Sequence, residues 1–284
     1  MLTRWKHHNP DGSLKYDFDG ITPIEIPNDP TKPVLRDLGL TVVHPFYGEK
    51  DRFDRIMEAW KKYSDEIKRA VTLSLVDDCG SPAVMDWLPR STLKRLDLNI
   101  QVHKITENLK WNTPGALNLG VHTAPTDWVL MMDSDCIMPD IMLKRLLFEF
   151  SPDQRHAYFF MRHRITDDPV KALNIRPLTC SILIHKERFA EVGGFDEDFT
   201  GSRSGGYGCF DAEFHDRIKN WRQCVVDIII DEYIGIGVQD LEGVKYDHYS
   251  TNRRLFRAKQ LGKVPRNPER LRFAWKKEFS GERW

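Results

Sequence analysis

The sequence predicts an α/β protein with a mostly parallel central sheet and helices on both faces. Three observations carry this. Short runs of branched apolar residues alternate with segments whose apolar positions recur every three or four residues. The runs are apolar on both faces, as strands covered from two sides must be. Three runs also end in polar or acidic side chains: His44, then Asp77 and Asp78, then Asp133 and Asp135. In open sheets of this kind ligands bind beyond the carboxyl ends of the strands, so these side chains should share one rim.

Residues 1–37 are rich in Pro, Asp and Gly, lack periodicity, and read as an extended arm over the core. LGLTVVHPFYG, residues 38–48, is the first expected strand, closed by Pro45 and Gly48. Residues 51–69 place Phe53, Ile56, Met57, Trp60, Tyr63 and Ile67 on one face of an amphipathic helix. AVTLSLVDDCGSP, residues 70–82, supplies the second strand and LNIQVHKI, residues 98–105, the third. A helix follows over 112–124, its entry marked by Thr113-Pro114. WVLMMDSD, residues 128–135, is the fourth strand. Further on, Cys180–His185 reads as a strand, followed by a helical turn and a break at Gly193-Gly194. Residues 201–208, rich in Gly and Ser, form a mobile loop by pattern. The next helix opens with Asp211 and Glu213, where the helix dipole favours negative charge.

The 284 residues have room for one substantial core, and 30% charged with 40% hydrophobic residues is ordinary for a soluble globular chain. No apolar run reaches the roughly eighteen residues of a membrane span, and the first residues lack the apolar core of a secretory signal. Five cysteines, an odd number without a CxxC pair, read as reduced thiols of a cytoplasmic protein. The net charge of zero conceals a basic C-terminus: from Ser250 onward eleven Lys and Arg face three Asp and Glu. Such a segment is a solvated helix face or a surface for phosphates, nucleic acid or anionic lipid.

Asp133 and Asp135, two apart on an extended segment, point to one side. There a hard cation such as Mn²⁺ or Mg²⁺ can meet both and relieve their repulsion. The Asp-x-Asp pattern alone is weak and also fits a solvated acidic turn. Its place at a strand end, after a second carboxylate pair, gives it weight.

The stretches TVVHPFYGEKDRFDRIMEAW, LVDDCGSP, WNTPGALNLG, MMDSDC, GGFDEDF and YGCFDAEFHDRI occur in this order. Together they resemble the nucleotide-diphosphosugar glycosyltransferases of the GT-A fold, family 2-like, over about residues 38–250. The resemblance implies that His44, Pro45, Phe46, Tyr47, Glu49 and Asp77 or Asp78 hold the base and ribose of a nucleotide-sugar donor, with a UDP-sugar the first expectation. It implies that Trp111–Asn118 closes over the nucleotide, with Gly115 permitting close backbone approach; Gly115 and Asn118 serve equally well to shape a helix start. Asp133-Ser134-Asp135 becomes the site for Mn²⁺ or Mg²⁺, with the later aspartate the direct ligand. Asp211 aligns with the general base of inverting members, although Phe210 stands where the family has an acid. Glu213 is the second candidate, or an acceptor ligand, and both acids also suit a helix start. His248 fits a third metal ligand or a structural histidine. Lys245, Arg253 and Arg254 would meet the diphosphate as the C-terminal segment folds over it.

The domain reading is an arm over 1–37, a donor half over 38–140, an acceptor half over 141–250 and a basic tail over 251–284. The acceptor hydroxyl is open: a glycan, a protein, or nucleic acid with hydroxymethylated bases. Retaining enzymes of this fold share the metal site, while the single base favours inversion. A nucleotidyltransferase making nucleotide sugars is an alternative, but it needs a glycine-rich basic loop after the first strand, where only Gly48 stands. A binding protein without catalysis would show a damaged metal or base motif, and Asp133, Asp135 and Asp211 are intact.

Overall fold

The computed structural model describes residues 20–26, 31–93, 95–166, 176–234 and 247–281, with only the backbone described at 176 and 247–249. A short strand β1 (Thr22–Ile24) and one helical turn α1 (Leu35–Leu38) precede β2 (Leu40–Phe46). The helix expected over 51–69 is two helices, α2 (Lys50–Lys62) and α3 (Asp65–Ala70). Tyr63 breaks the path at ψ 149° and its hydroxyl donates to the Met138 carbonyl at 2.6 Å. The Ser64 amide donates to the Asp140 carboxylate at 3.0 Å, so tertiary bonds outweigh the local helical period here.

Next come β3 (Val71–Asp77), the turns α4 (Val84–Trp87) and α5 (Arg90–Leu93), and β4 (Asn99–Ile105). Then follow α6 (Thr113–Thr123), β5 (Trp128–Met131), β6 (Cys136–Ile137) and α7 (Asp140–Phe148). The second half holds β7 (Ala157–Ile165), β8 (Arg176–His185) and α8 (Lys186–Glu191). A 3-10 turn at Glu197–Phe199 leads to α9 (Gly201–Ser204), one helical turn inside the expected loop. After it stand α10 (Phe210–Arg217), β9 (Arg222–Tyr233), α11 (Asp247–Gln260) and β10 (Trp275–Gly281).

The strands form one sheet in the order β1-β9-β7-β8-β5-β2-β3-β4-β10, with β6 added on β9. β5, β2, β3 and β4 are parallel neighbours, so their carboxyl ends lie on one edge, as the sequence predicts. β8 runs antiparallel between β5 and β7, and β10 antiparallel on β4. Apolar residues of one strand serve two layers: Leu40, Val42 and Phe46 of β2 join the core under α2, α3 and α7, while Val43 joins the one under α6 and α10. Helix α6 comes so close to the sheet that a Cβ on Gly120 would lie 2.2 Å from Val43, which only glycine avoids.

The segment after residue 250, expected as a basic tail, contributes most of α11 and a strand of the sheet. An acidic turn holds it there. The buried Glu197 carboxylate accepts from the amides of Leu271 (2.7 Å) and Arg272 (3.1 Å), and Arg272 also donates to Asp198 at 2.7 Å. At the other end of the chain the expected arm supplies β1, parallel to β9. No helix among the described residues is long and apolar enough to cross a membrane.

Candidate active site

β5 ends at Met131, and the Met132 amide still donates to the Val43 carbonyl of β2 at 3.0 Å. The chain then turns. The Cys136 amide donates to the Asp133 carbonyl at 3.1 Å, and the Tyr233 amide to the Asp135 carbonyl at 2.9 Å. Asp133-Ser134-Asp135 is therefore a tight turn pinned between the sheet and β9. His44 supports it from beneath. It is buried, and burial pushes its pKa down to about 4 against the opposing effect of the backbone at Asp133 and Met132. It is a prop for the turn and does not open onto the rim.

Both aspartate side chains keep partial contact with solvent. Burial first, then the charges of Asp135 and Asp211, hold the Asp133 carboxyl well above the usual carboxylate range, although the Cys180 thiol bonds to it. Burial likewise raises Asp135, opposed by Arg52 and by the Cys136 thiol at 3.3 Å. Arg52, in the first turn of α2, donates to the Ser134 hydroxyl at 3.1 Å and lies 3.8 Å from Glu49. Asp211 stands in the first turn of α10, partly exposed, and its charge is felt by both Asp133 and Cys180.

On the β2–β3 side of the crevice, Glu49 accepts from the Tyr47 amide at 2.7 Å, and burial raises its carboxyl. Tyr47 is 45% exposed and its hydroxyl donates to Asn108 at 3.2 Å, which leaves an open aromatic face at the rim. Asp78 is buried. Its carboxyl is pushed up to about 8 by burial, against the bond from Asn112 at 3.0 Å, and Asp77 and Glu49 add repulsion. Charge effects link Asp78 to Glu49, Glu49 to Asp135, and both Asp135 and Asp211 to Asp133, so these carboxyls are electrostatic neighbours.

Several other sequence candidates have structural duties. Asp77 accepts from the amides of Gly80 (2.8 Å) and Val84 (3.0 Å) and so shapes the turn after β3. Phe46 points into the core against Phe53, and Pro45 is buried within β2. A Cβ on Gly115 would lie 2.3 Å from the Asn112 side chain and 2.6 Å from Phe273, so packing against the C-terminal segment is what requires glycine there. Asn118 pairs with both backbone groups of Phe195 at 2.9 Å and also donates to Glu197, clasping α6 to the acidic turn. Glu213 is fully buried, bound by Arg217 and Arg266, each at 2.7 Å, and turned from the crevice. The first turn of a helix spreads side chains around its axis, so Asp211 and Glu213 part company.

Arg253 is exposed on the outer face of α11. Lys245 and the side chain of His248 lie outside the described residues.

A divalent cation fits what is present. Asp133 and Asp135 are oxygen donors whose carboxyls burial raises, Asp133 also by the charge of Asp135, and a hard cation would offset that cost by taking them as ligands. Sequence reasoning passed over Arg52 and gave Cys180 no role at the site. It also missed Glu232, whose charge reaches both aspartates while it pairs with Arg164 at 2.8 Å. The position of Arg52 three residues after Glu49, opening a helix that starts at the rim, was the available signal; Cys180 and Glu232 carried none.

The family described as glycosyl transferase family 2 matches residues 41–208. No curated protein matches the sequence. Among solved structures, residues 1–349 of TarS from S. aureus are similar at 17% identity and a TM-score of 0.52, covering 69% of this chain and 60% of that one. GalNAc-T7 with UDP, GalNAc and Mn²⁺ is similar at 13% identity and a TM-score of 0.51, over 72% of this chain and 44% of that one. A mannosyltransferase from Pyrobaculum calidifontis, solved with GDP-Man and Mn²⁺, reaches 17% identity and a TM-score of 0.50, over 87% and 66%. The chain therefore spans about 60% of the TarS fragment, and these likenesses establish the fold. With the carboxyl edge of the parallel strands, the Asp-x-Asp turn and a family match over more than half its length, the chain belongs to glycosyl transferase family 2.

Proposed function

We propose that the protein transfers a sugar from a nucleoside-diphosphate sugar, a UDP-sugar first, to an acceptor hydroxyl with inversion at the anomeric carbon. What supports this is that Asp133 and Asp135 follow β5 in the parallel set β5, β2, β3, with the charges of Asp135 and Asp211 both felt by Asp133. Tyr47 offers its exposed ring to the nucleobase, and Asp78 with Asn112 bonds to the base edge. Residues 38–140 form the donor half and 141–250 the acceptor half.

Asp133 and Asp135 would hold Mn²⁺ or Mg²⁺, with His248 the candidate third ligand, and such an ion, when bound, offsets charge on the departing diphosphate. Arg52 adds fixed positive charge beside the same turn. Asp211 takes the proton of the acceptor hydroxyl as its oxygen bonds to the anomeric carbon. The carbon–oxygen bond to the diphosphate breaks, and its electron pair leaves with the nucleoside diphosphate. Glu213, bound by two arginines, has no part in proton transfer and holds the helix that carries Asp211. Five unpaired cysteines suit a reducing compartment, and we assign the protein to the cytoplasm on that ground.

The test is hydrolysis of a panel of nucleotide sugars without acceptor, with Mn²⁺ or Mg²⁺ and again with EDTA, for the wild type and Asp135→Ala. Metal-dependent release of nucleoside diphosphate from one donor, lost in the variant, supports the reading and names the donor. Nucleoside triphosphate formed on adding pyrophosphate would instead identify a nucleotidyltransferase. Nucleotide binding indifferent to EDTA, with no hydrolysis, would mark a binder without catalysis.

A further inference from the structure

Helix α11 buries Asn252 and Lys259 and turns Arg253, Arg254 and Arg257 to solvent. With Lys263, Ala258 and Leu261 these arginines line an open groove of about 490 Å³, and Leu261 at its edge is 64% exposed. No carboxylate lines the groove, and none of the four cations pairs with a carboxylate among the described residues. Other cations of the same C-terminal segment are neutralised: Lys259 by Asp196 and Asp198, Arg266 by Glu213 and Asp216, Arg272 by Asp198. The groove thus concentrates positive charge with no carboxylate partner among the described residues, in a chain whose formal net charge is zero.

Its place in the fold gives that charge a meaning. The Asn252 side chain, next to Arg253, donates to the carbonyls of Gly208 (2.9 Å) and Phe199 (3.0 Å). Gly208 lies three residues before Asp211. These bonds tie α11 to the segment just before Asp211, while its basic face turns outward.

We propose that this groove seats the phosphodiester backbone of a nucleic-acid acceptor, so that a hydroxyl on the strand reaches Asp211. The proposal takes its catalytic sense from the transferase reading; the binding it requires does not depend on that reading. Arg253 and Arg254 precede Arg257 by about one helical turn, roughly 5 Å along the axis, so the cations can meet consecutive phosphates of one strand. The apolar stems, Ala258 and Leu261 supply a floor for sugar faces. A bilayer surface fits less well: the cations surround a recess, and only one large apolar side chain stands out at its edge, whereas interfacial helices insert a broad apolar face.

The experiment is fluorescence anisotropy with fluorescein-labelled single-stranded DNA, duplex DNA and RNA oligonucleotides about twenty nucleotides long, between about 50 and 200 mM salt. It compares the full chain with the double variant Arg257→Gln/Lys263→Gln, which leaves Arg253 and Arg254 in place. The wild type should bind at least one oligonucleotide, with affinity falling steeply as salt rises. The variant should lose at least ten-fold in affinity at low salt, and its log–log salt slope should shrink by about one and a half to two, just under one counterion for each lost charge. Hydrolysis of donor without acceptor should be equal in both proteins, which shows the variant folded. Failure of the wild type to bind any oligonucleotide, or an unchanged affinity and slope in the variant, overturns the proposal. So does binding confined to phosphatidylserine-containing vesicles and abolished by the same substitutions, which would make the groove a membrane contact. Oligonucleotide binding lost in the variant, in a protein that hydrolyses no donor, would leave the groove assigned and refute the transferase reading.

Discussion

Lys259, buried in α11, donates to Asp196 at 2.8 Å and to Asp198 at 2.7 Å, and so nails the C-terminal helix to the acidic turn that follows Gly193-Gly194. Asp196 is itself buried, and its other oxygen accepts from the Asp198 amide. Removing the lysine therefore strands a buried carboxylate. Lys259→Met should lower unfolding free energy by about 3–5 kcal/mol, measured by urea denaturation at neutral pH. Adding Asp196→Asn should recover part of the loss, because asparagine accepts the same amide bond without a charge. Equal stability of Lys259→Met and wild type would show that the pair does not hold the helix.

Asp78 sets stability against pH in a direction opposite to most carboxylates. Its folded pKa, near 8, lies above the ordinary 3.8, with burial the main cause. Below about pH 4 both states carry the proton. Between about 4 and 8 only the folded state keeps it, so stability falls as pH rises through that window. Asp78→Asn keeps an acceptor for Asn112 and removes this penalty. The variant should match the wild type near pH 4 and exceed it by roughly 2–4 kcal/mol near pH 8, read from denaturation at both values. On the proposed role of Asp78 at the nucleobase, affinity for the nucleotide should also fall.

Much of this arrangement was legible. Alternation of apolar runs with helical periods placed β2, β3, β4, β5 and α6 within a few residues, and the strand-end carboxylates follow the carboxyl ends of neighbouring parallel strands. What escaped depends on contacts between residues distant in sequence. The runs AYFFM and CVVDIII, which build β7 and β9, were passed over although both are apolar strands by composition. The period through Tyr63 concealed a helix break that exists because Tyr63 and Ser64 bond to the 138–140 segment. The C-terminal cations looked like a free charged tail because the acids that neutralise Lys259 and Arg272 lie some sixty to seventy-five residues earlier. Local pattern likewise could not separate Asp211 from Glu213.

Those two acids give a discriminating pair of variants. Asp211→Asn should reduce sugar transfer by about 10²–10⁴-fold, the usual worth of a general base, and leave donor affinity and stability near wild type. Glu213→Gln should do the reverse. It breaks a fully buried carboxylate's bonds to Arg217 and Arg266, so stability should fall by about 3–5 kcal/mol while the folded fraction keeps its turnover. Steady-state kinetics beside a denaturation curve for each variant reads both effects. Turnover lost in Glu213→Gln at full folding would reverse the assignment.

Arg52 separates metal binding from donor binding. Its guanidinium bonds to Ser134 and opposes the raised Asp135 carboxyl, so it already supplies positive charge where a cation would sit. For a free divalent ion that charge is repulsive. For a nucleoside diphosphate it is attractive, because the diphosphate brings negative charge to the same turn. Arg52→Met keeps much of the apolar stem and deletes the charge. A like-charge term of about 1 kcal/mol, the value for two unit charges about 4 Å apart in bulk water and so a lower bound here, corresponds to roughly five-fold in affinity. Mn²⁺ without nucleotide should therefore bind several-fold more tightly to Arg52→Met, as measured by electron paramagnetic resonance of the free ion. Nucleoside diphosphate in the presence of Mn²⁺ should bind about ten-fold more weakly by calorimetry, the loss of a charge-assisted contact. If both affinities weakened together, Arg52 would be shaping the turn through its bond to Ser134, and its charge would be secondary.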